Sequence, residues 1–259
     1  MLILLDIGNT AATYGIHKVP QTVPGTCQAR AWHRLKFGSC SYVDIPKLVN
    51  YCLKSGANYK SFNIVISSVV PKITRNIVSL GRKNGIKTWV AGQNLPVPVK
   101  HPYPKNQKPG IDRLVCLYGA KQIDKTPLLV IDFGTAITFD YLSKRGIFEG
   151  GMIVPGPELS FQTLVQRAAL IPKNLALPRK ASFFLGKNTL ECLSAGILEG
   201  YGAMTDGLIE RFRMKYGKNL KVIATGGFAG HLKPYTRHLK NIDPQLSIKS
   251  LRLLFENQL

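Results

Sequence analysis

Acidic residues are scarce in this chain: fourteen Asp and Glu stand against thirty-five Lys and Arg, a formal charge of +21 over 259 residues. Such an imbalance favours anionic partners of every kind, nucleotides and nucleic acids included. The basic residues are scattered, however, with no run of five or more like charges and no known nucleic-acid-binding motif, so a nucleic acid is not the partner the sequence selects. The five cysteines (Cys27, Cys40, Cys52, Cys116 and Cys192) are odd in number, widely spaced and never in a Cys-x-x-Cys pair. That excludes a disulfide framework and a zinc site, and fits reduced thiols, mostly buried. Apolar runs are of strand length only, so no membrane helix is expected. The first strand starts at once, leaving no room for a cleavable signal. A soluble, cytoplasmic protein is the expectation.

What is present is a motif used twice. Residues 128–140 read as an apolar run ending in Asp132, a Gly134-Thr135 turn, and a second β-branched and aromatic run. Residues 2–16 repeat the pattern, with Asp6-Ile7-Gly8-Asn9-Thr10 at the turn and a return strand over 11–16. Short apolar runs bounded by turn residues predict buried strands, and two or three residues between them predict a hairpin. Two copies half a chain apart predict two similar halves facing each other across a cleft. Glycine lets the backbone approach a ligand, and adjacent amides with a Thr hydroxyl can cradle phosphate oxygens. The Asp cannot itself hold a phosphate, but it can hold the cation that a nucleotide brings, usually through water.

Along the first half the pattern predicts a strand over 29–37, a helix over 43–55 stopped by Gly56, a strand over 62–70, a helix from Pro71 stopped by Asn84-Gly85, and a strand over 87–90. The order β-β-β-α-β-α-β is that of a mixed α/β domain on one sheet. Residues 95–110 carry five prolines and forbid regular structure for most of their length. They lead into Gly110-Ile111-Asp112-Arg113 at the head of an amphipathic helix, where an Asp is ordinarily a cap. In the second half, Glu149-Gly150-Gly151 to Pro155-Gly156 again allows close backbone approach before a helix over 157–169. A basic, proline-rich loop covers 171–184. The longest helix spans 186–215, and its small residues Ala195, Gly196, Gly200, Gly202 and Ala203 fit close packing, including against a second subunit. A strand over 220–224 ends in Thr225-Gly226-Gly227, and an amphipathic segment over 248–255 closes the chain.

In this order the motifs resemble a known family. Asp6-Ile7-Gly8-Asn9-Thr10, Asp132-Phe133-Gly134-Thr135-Ala136 and Thr225-Gly226-Gly227 are similar to the two phosphate loops and the adenosine loop of the acetate/sugar kinase–Hsp70–actin superfamily. Within it, Tyr103 with residues 110–113, the stretch 149–156 and Asn188-Thr189 resemble the type III pantothenate kinases, a group that includes proteins named Bvg accessory factor. The resemblance implies an α/β fold of two similar ribonuclease H-like (actin-like ATPase) domains with a nucleotide cleft between them, over 1–124 and 125–259, the second carrying the dimerisation helix. It implies ATP-dependent phosphorylation of pantothenate at its primary 4′-hydroxyl, the first step of coenzyme A biosynthesis, by a homodimer. By the same resemblance Asp112 is the general base, and Tyr103, Gly110, Ile111, Asp112, Arg113 and Thr189 bind pantothenate. ATP is bound by Asp6, Ile7, Gly8, Asn9, Thr10, Ala11, Ala12, Thr13, Thr135, Gly226 and Gly227. Asp6 positions Mg2+ through water, and Asp132 holds a monovalent cation, K+ or NH4+. The alternative is a non-catalytic regulatory or nucleic-acid-associated protein on the same fold. A sugar kinase is disfavoured because the chain lacks polar carbohydrate-binding loops.

Overall fold

The apolar run at the start of the chain folds as β1 (Leu2–Ile7), with Leu2, Ile3, Leu4 and Leu5 buried. The computed structural model describes residues 1–17, 35–54, 62–104, 106–181 and 183–258. The chain forms two units: Met1–Pro98, Tyr103–Gly119 and Gln245–Leu259 make the first, and Val99–Pro102 with Ala120–Pro244 make the second.

In the first unit β1 pairs antiparallel with β2 (Ala12–His17), which pairs antiparallel with β3 (Leu35–Cys40). On its other side β1 runs parallel to β4 (Asn63–Ser68), which runs parallel to β5 (Lys87–Val90). The sheet order is therefore β3-β2-β1-β4-β5. Helix α1 (Ile45–Lys54) follows a 3-10 turn at Tyr42–Asp44. Helix α2 (Pro71–Lys83) starts on its proline and stops at Asn84, with Gly85 at φ +65. Proline fits the first turn because its missing N–H has no intrahelical partner there. The element order agrees with the sequence. The return strand is shifted by one residue, because four residues, 8–11, separate β1 from β2. Residues 29–34 of the expected third strand, the helix stop at Gly56, and Cys27 lie outside the described residues.

The second unit repeats the plan. β6 (Leu128–Phe133) pairs antiparallel with β7 (Ala136–Leu142), β7 pairs antiparallel with β8 (Phe148–Pro155), and β6 runs parallel to β9 (Lys221–Thr225). The order β8-β7-β6-β9 thus matches β3-β2-β1-β4 strand for strand. The register matches as well. Asp6 lies opposite Thr13 on β2 and Ser67 on β4, while Asp132 lies opposite Thr138 on β7 and Thr225 on β9. The helices of this unit include α4 (Pro157–Arg167), α5 (Thr189–Tyr216) and the single turn α6 (Ala229–Leu232), and its core centres on Phe133, Phe139, Phe161 and Leu198.

Two helices differ from expectation. α3 (Ile111–Ile123) and α7 (Leu246–Glu256) read as amphipathic, yet residues 114–120 of the first and 250–255 of the second are buried without interruption. In the first unit they pack against each other. A Cβ on Gly119 would collide with Ser250, so the helices approach as closely as glycine allows, and Asn257 Nδ2 donates to Tyr118 Oη at 2.6 Å. The other side of α7 lies on the sheet, where Ile248 Cγ2 is 2.5 Å from the Cβ position of Gly15 and the Phe255 ring meets Trp89 edge-on at 5.7 Å. A helix covered on two sides has no solvated face, so its apolar pattern loses the helical period.

Candidate functional site

Asp6 stands one residue from the end of β1, where the chain leaves the sheet for the exposed turn Gly8-Asn9-Thr10. That turn is closed by the Gly8 amide donating to Ala11 O at 3.2 Å, and Tyr42 Oη donates to Gly8 O from the outside. Burial pushes the Asp6 carboxyl up to about 6; the Ser247 hydroxyl pulls against the rise and the Asp112 charge adds to it, while the buried Ser67 hydroxyl beside β1 has no hydrogen-bond partner among the described residues. A carboxylate held among apolar atoms beside a second carboxylate resists ionisation, whereas hydroxyl donors favour its charged form.

Asp112 sits in the first turn of α3, where its Oδ1 accepts from the Arg113 amide at 2.9 Å. Gly110 leaves room for this carboxylate: a Cβ there would stand 2.5 Å from Asp112 Oδ1 and displace it. Tyr103, Gly110, Ile111, Asp112 and Arg113 therefore fall in the same unit as Asp6 and residues 7–13, with Ile111, Asp112 and Arg113 half-buried. Among the described residues neither Asp6 nor Asp112 is in a salt bridge, and no group of three or more His, Cys, Asp or Glu could hold a metal by itself. A single carboxylate with hydroxyl neighbours suits a cation that keeps most of its water, as magnesium does, and the charge of the Asp6–Asp112 pair is what such a cation would neutralise.

The second unit presents the matching turn. The Gly134 amide donates to Ala136 O at 3.1 Å, leaving Gly134 and Thr135 exposed. Beneath it the Gly156 amide donates to Thr135 O at 2.8 Å, and no side chain fits at Gly156 because its Cβ would meet Thr135 O at 2.6 Å. After β9 the chain turns at Gly226, φ +91, whose Cβ would strike Asp132 Oδ1 and come within 2.6 Å of the Phe133 backbone. The Phe228 amide then donates to Phe133 O at 3.1 Å, so the 226–228 turn is laced onto the Asp132 strand end. Gly227 is exposed, with open space where its side chain would be. Asp132, Thr135, Gly226 and Gly227 are thus brought together within this unit.

Thr189 belongs to the second unit, as the exposed first residue of α5. Asn188 caps this helix by accepting from the Glu191 amide at 3.0 Å, and Glu191 Oε2 accepts from the amide of Lys187, one residue before the cap, at 2.7 Å. Three neighbours of the site escaped the sequence reading: Ser67, Ser247 and Tyr42. Ser67 was legible only as a polar residue near a strand end; Ser247 lies 135 positions beyond Asp112 and carries no local signal.

Comparison with known proteins agrees with this geometry. The sequence model of the family described as Type III pantothenate kinase matches residues 2–211. A Type III pantothenate kinase of Geotalea uraniireducens is 32% identical over 260 residues, covering 99% of this chain and 98% of that protein. One of Moorella thermoacetica is likewise 32% identical, covering 99% of each. Solved structures share the fold at low identity. A Campylobacter jejuni protein described as a candidate Baf family transcriptional activator superposes with a TM-score of 0.56 at 20% identity, covering 99% of this chain and 98% of the other. A glucokinase from an Antarctic psychrotroph does so with 0.52 at 9% identity, covering 99% and 98%. The paired sheets are those of the actin-like ATPase and sugar-kinase fold, and the chain belongs to the type III pantothenate kinase family.

Proposed function

We propose that this protein transfers the terminal phosphoryl group of ATP to the primary 4′-hydroxyl of pantothenate, the first step towards coenzyme A. The observation that carries the reading is the placement of Asp6 at the strand end beside the exposed Gly8-Asn9-Thr10 turn, within reach of the Asp112 charge. Phosphoryl transfer demands positioning and charge neutralisation more than covalent help, and this corner offers amides, a cation-holding carboxylate and a second carboxylate able to accept a proton.

In this reading Asp112 accepts the proton of the attacking hydroxyl, and Tyr103, Gly110, Ile111 and Arg113 orient pantothenate around it, with Thr189 contributing from the start of α5. Residues 6–13, Thr135, Gly226 and Gly227 bind ATP. Asp6 orients the divalent ion through its water shell; when bound, that ion supplies charge neutralisation on the phosphates. Asp132, held against the Gly226 turn, suits a monovalent cation, K+ or NH4+. The homodimer finds support on α5, where added Cβ atoms at Gly196, Gly200 and Gly207 would meet nothing within 4 Å. Their smallness serves no packing within the chain, and a second copy of the helix would use it.

The test is ADP release by purified protein with ATP, Mg2+ and pantothenate, in potassium and in sodium, with Asp112→Asn run alongside. Pantothenate-dependent turnover that the substitution abolishes supports the reading; a folded, ATP-binding protein without turnover in either salt overturns it.

A further inference from the structure

The second unit holds a cavity that no residue assigned to ATP or pantothenate lines. Its volume is about 260 Å³, and it lies where the far end of β7 meets the last two turns of α5. Tyr141 and Tyr216 stack there with ring centroids 3.9 Å apart and planes 20° apart, and Phe212 sits 5.9 Å from Tyr216. Phe212 and Tyr216 are four residues apart on α5, and so are Arg211 and Lys215. Residues at that spacing share a helix face. An aromatic stripe and a cationic stripe therefore enter the cavity side by side. Lys215 Nζ stands 5.3 Å over the Tyr216 ring, and among the described residues neither Lys215 nor Arg211 is in an ion pair.

The opposite wall is β8, where Glu149 and Met152 flank the bare backbone of Gly150 and Gly151. Gly150, paired with Tyr141 at φ +142, and Gly151 belong to β8, the edge strand of its sheet, so main-chain groups on its outer side have no strand partner. Rings to stack on, two cations against the single carboxylate of Glu149, and backbone groups of an edge strand together define a ligand: a flat heteroaromatic ring carrying an anionic group. Base–aromatic stacking tolerates any base, because every base has a π-face. The cavity is also remote from the phosphate turn. Tyr141 is five positions along β7 from Ala136, about 17 Å at the rise of a strand.

We propose that this cavity is a second ligand site, separate from the catalytic one, for a planar aromatic anion of mononucleotide size. The ring packs against Tyr216 and Phe212, the anionic group meets Arg211 and Lys215, and the polar ring edge bonds the Gly150 and Gly151 backbone. This site stands independently of the kinase reading.

The probe is AMP, titrated into the isotope-labelled full chain while the amide signals of Gly150 and Gly151 are followed by NMR. Both signals should shift and saturate. Tyr216→Ala should weaken that binding about tenfold, the scale of one stacked base, while Tyr216→Phe retains it. Charge reversal at the exposed pair, Arg211→Glu with Lys215→Glu, should weaken AMP but spare adenosine, and it reads the site even if Tyr216→Ala fails to fold. Shifts confined to the turns at 8–10 and 226–227 would overturn the proposal. So would equal Gly150 shifts with ribose 5-phosphate, which has the anion without the ring.

Discussion

The Asp6 carboxylate at the end of β1 is one of only fourteen acidic residues in the chain, and its burial, with the Asp112 charge adding to it, has a measurable cost. Asp6 is held up to about 6 from an ordinary value of 3.8. The folded state therefore binds the proton more tightly than the unfolded chain, so stability is greatest below the unfolded value and falls as pH rises between the two. Above about pH 6 the whole penalty is present, up to about 3 kcal/mol at 1.36 kcal/mol per pH unit. Asp6→Asn removes it, so the ligand-free variant should resist urea better than wild type at neutral pH and equally well at pH near 4. The same variant should lose most of its kinase activity, because a neutral amide lacks the charge that draws in and holds the divalent cation. Urea curves that coincide at neutral pH would contradict the burial of the charge. Asp112→Asn separates the roles differently: turnover should drop about 10²- to 10⁴-fold, the usual contribution of a general base, with a smaller change in the KM for ATP. Circular dichroism should be unchanged, since Asp112 is not part of a buried ion pair.

Elements were legible where the signal was local. The Asp-x-Gly hairpins and the proline start of α2 each declare themselves within a few positions, because the atoms that satisfy one another are close in the chain; the start of α5 at Thr189 rather than Gly186 did not. The burial of α3 and α7 was not legible, since it arises from a contact between Gly119 and Ser250 far apart in sequence. That contact makes a sharp prediction. Gly119→Ala drives a methyl into Ser250 and should cost about 1–3 kcal/mol of stability in denaturant unfolding, the usual penalty for overpacking. Ser250→Gly removes Oγ and Cβ, the two nearest obstacles, and should return part of the loss in the double variant. Additive costs in the two substitutions would mean that the helices do not press together here. Asn188→Ala, by contrast, should cost only about 1 kcal/mol, the value of a helix cap.

At the scale of the molecule, the strand-for-strand match of β3-β2-β1-β4 with β8-β7-β6-β9 explains why one motif served twice: each copy places an Asp one residue before a strand end, opposite hydroxyl-bearing partners. The duplication could be read from the repeated turns, but the return of the C-terminal segment to the first unit could not, because nothing in residues 245–259 says which sheet they cover. Their role is nonetheless large. Ile248, Leu251, Leu254 and Phe255 are buried, and Ser247 stands by Asp6. Removing residues 245–259 should therefore strip amide-exchange protection from β1 and β4 while β6 and β9 keep theirs, since the core around Phe133, Phe139 and Leu198 draws on no residue beyond Pro244. Hydrogen exchange read peptide by peptide would distinguish the two sheets. Equal loss in both would show that the units fold only together; unchanged protection in β1 would show that α7 is dispensable to the sheet it covers.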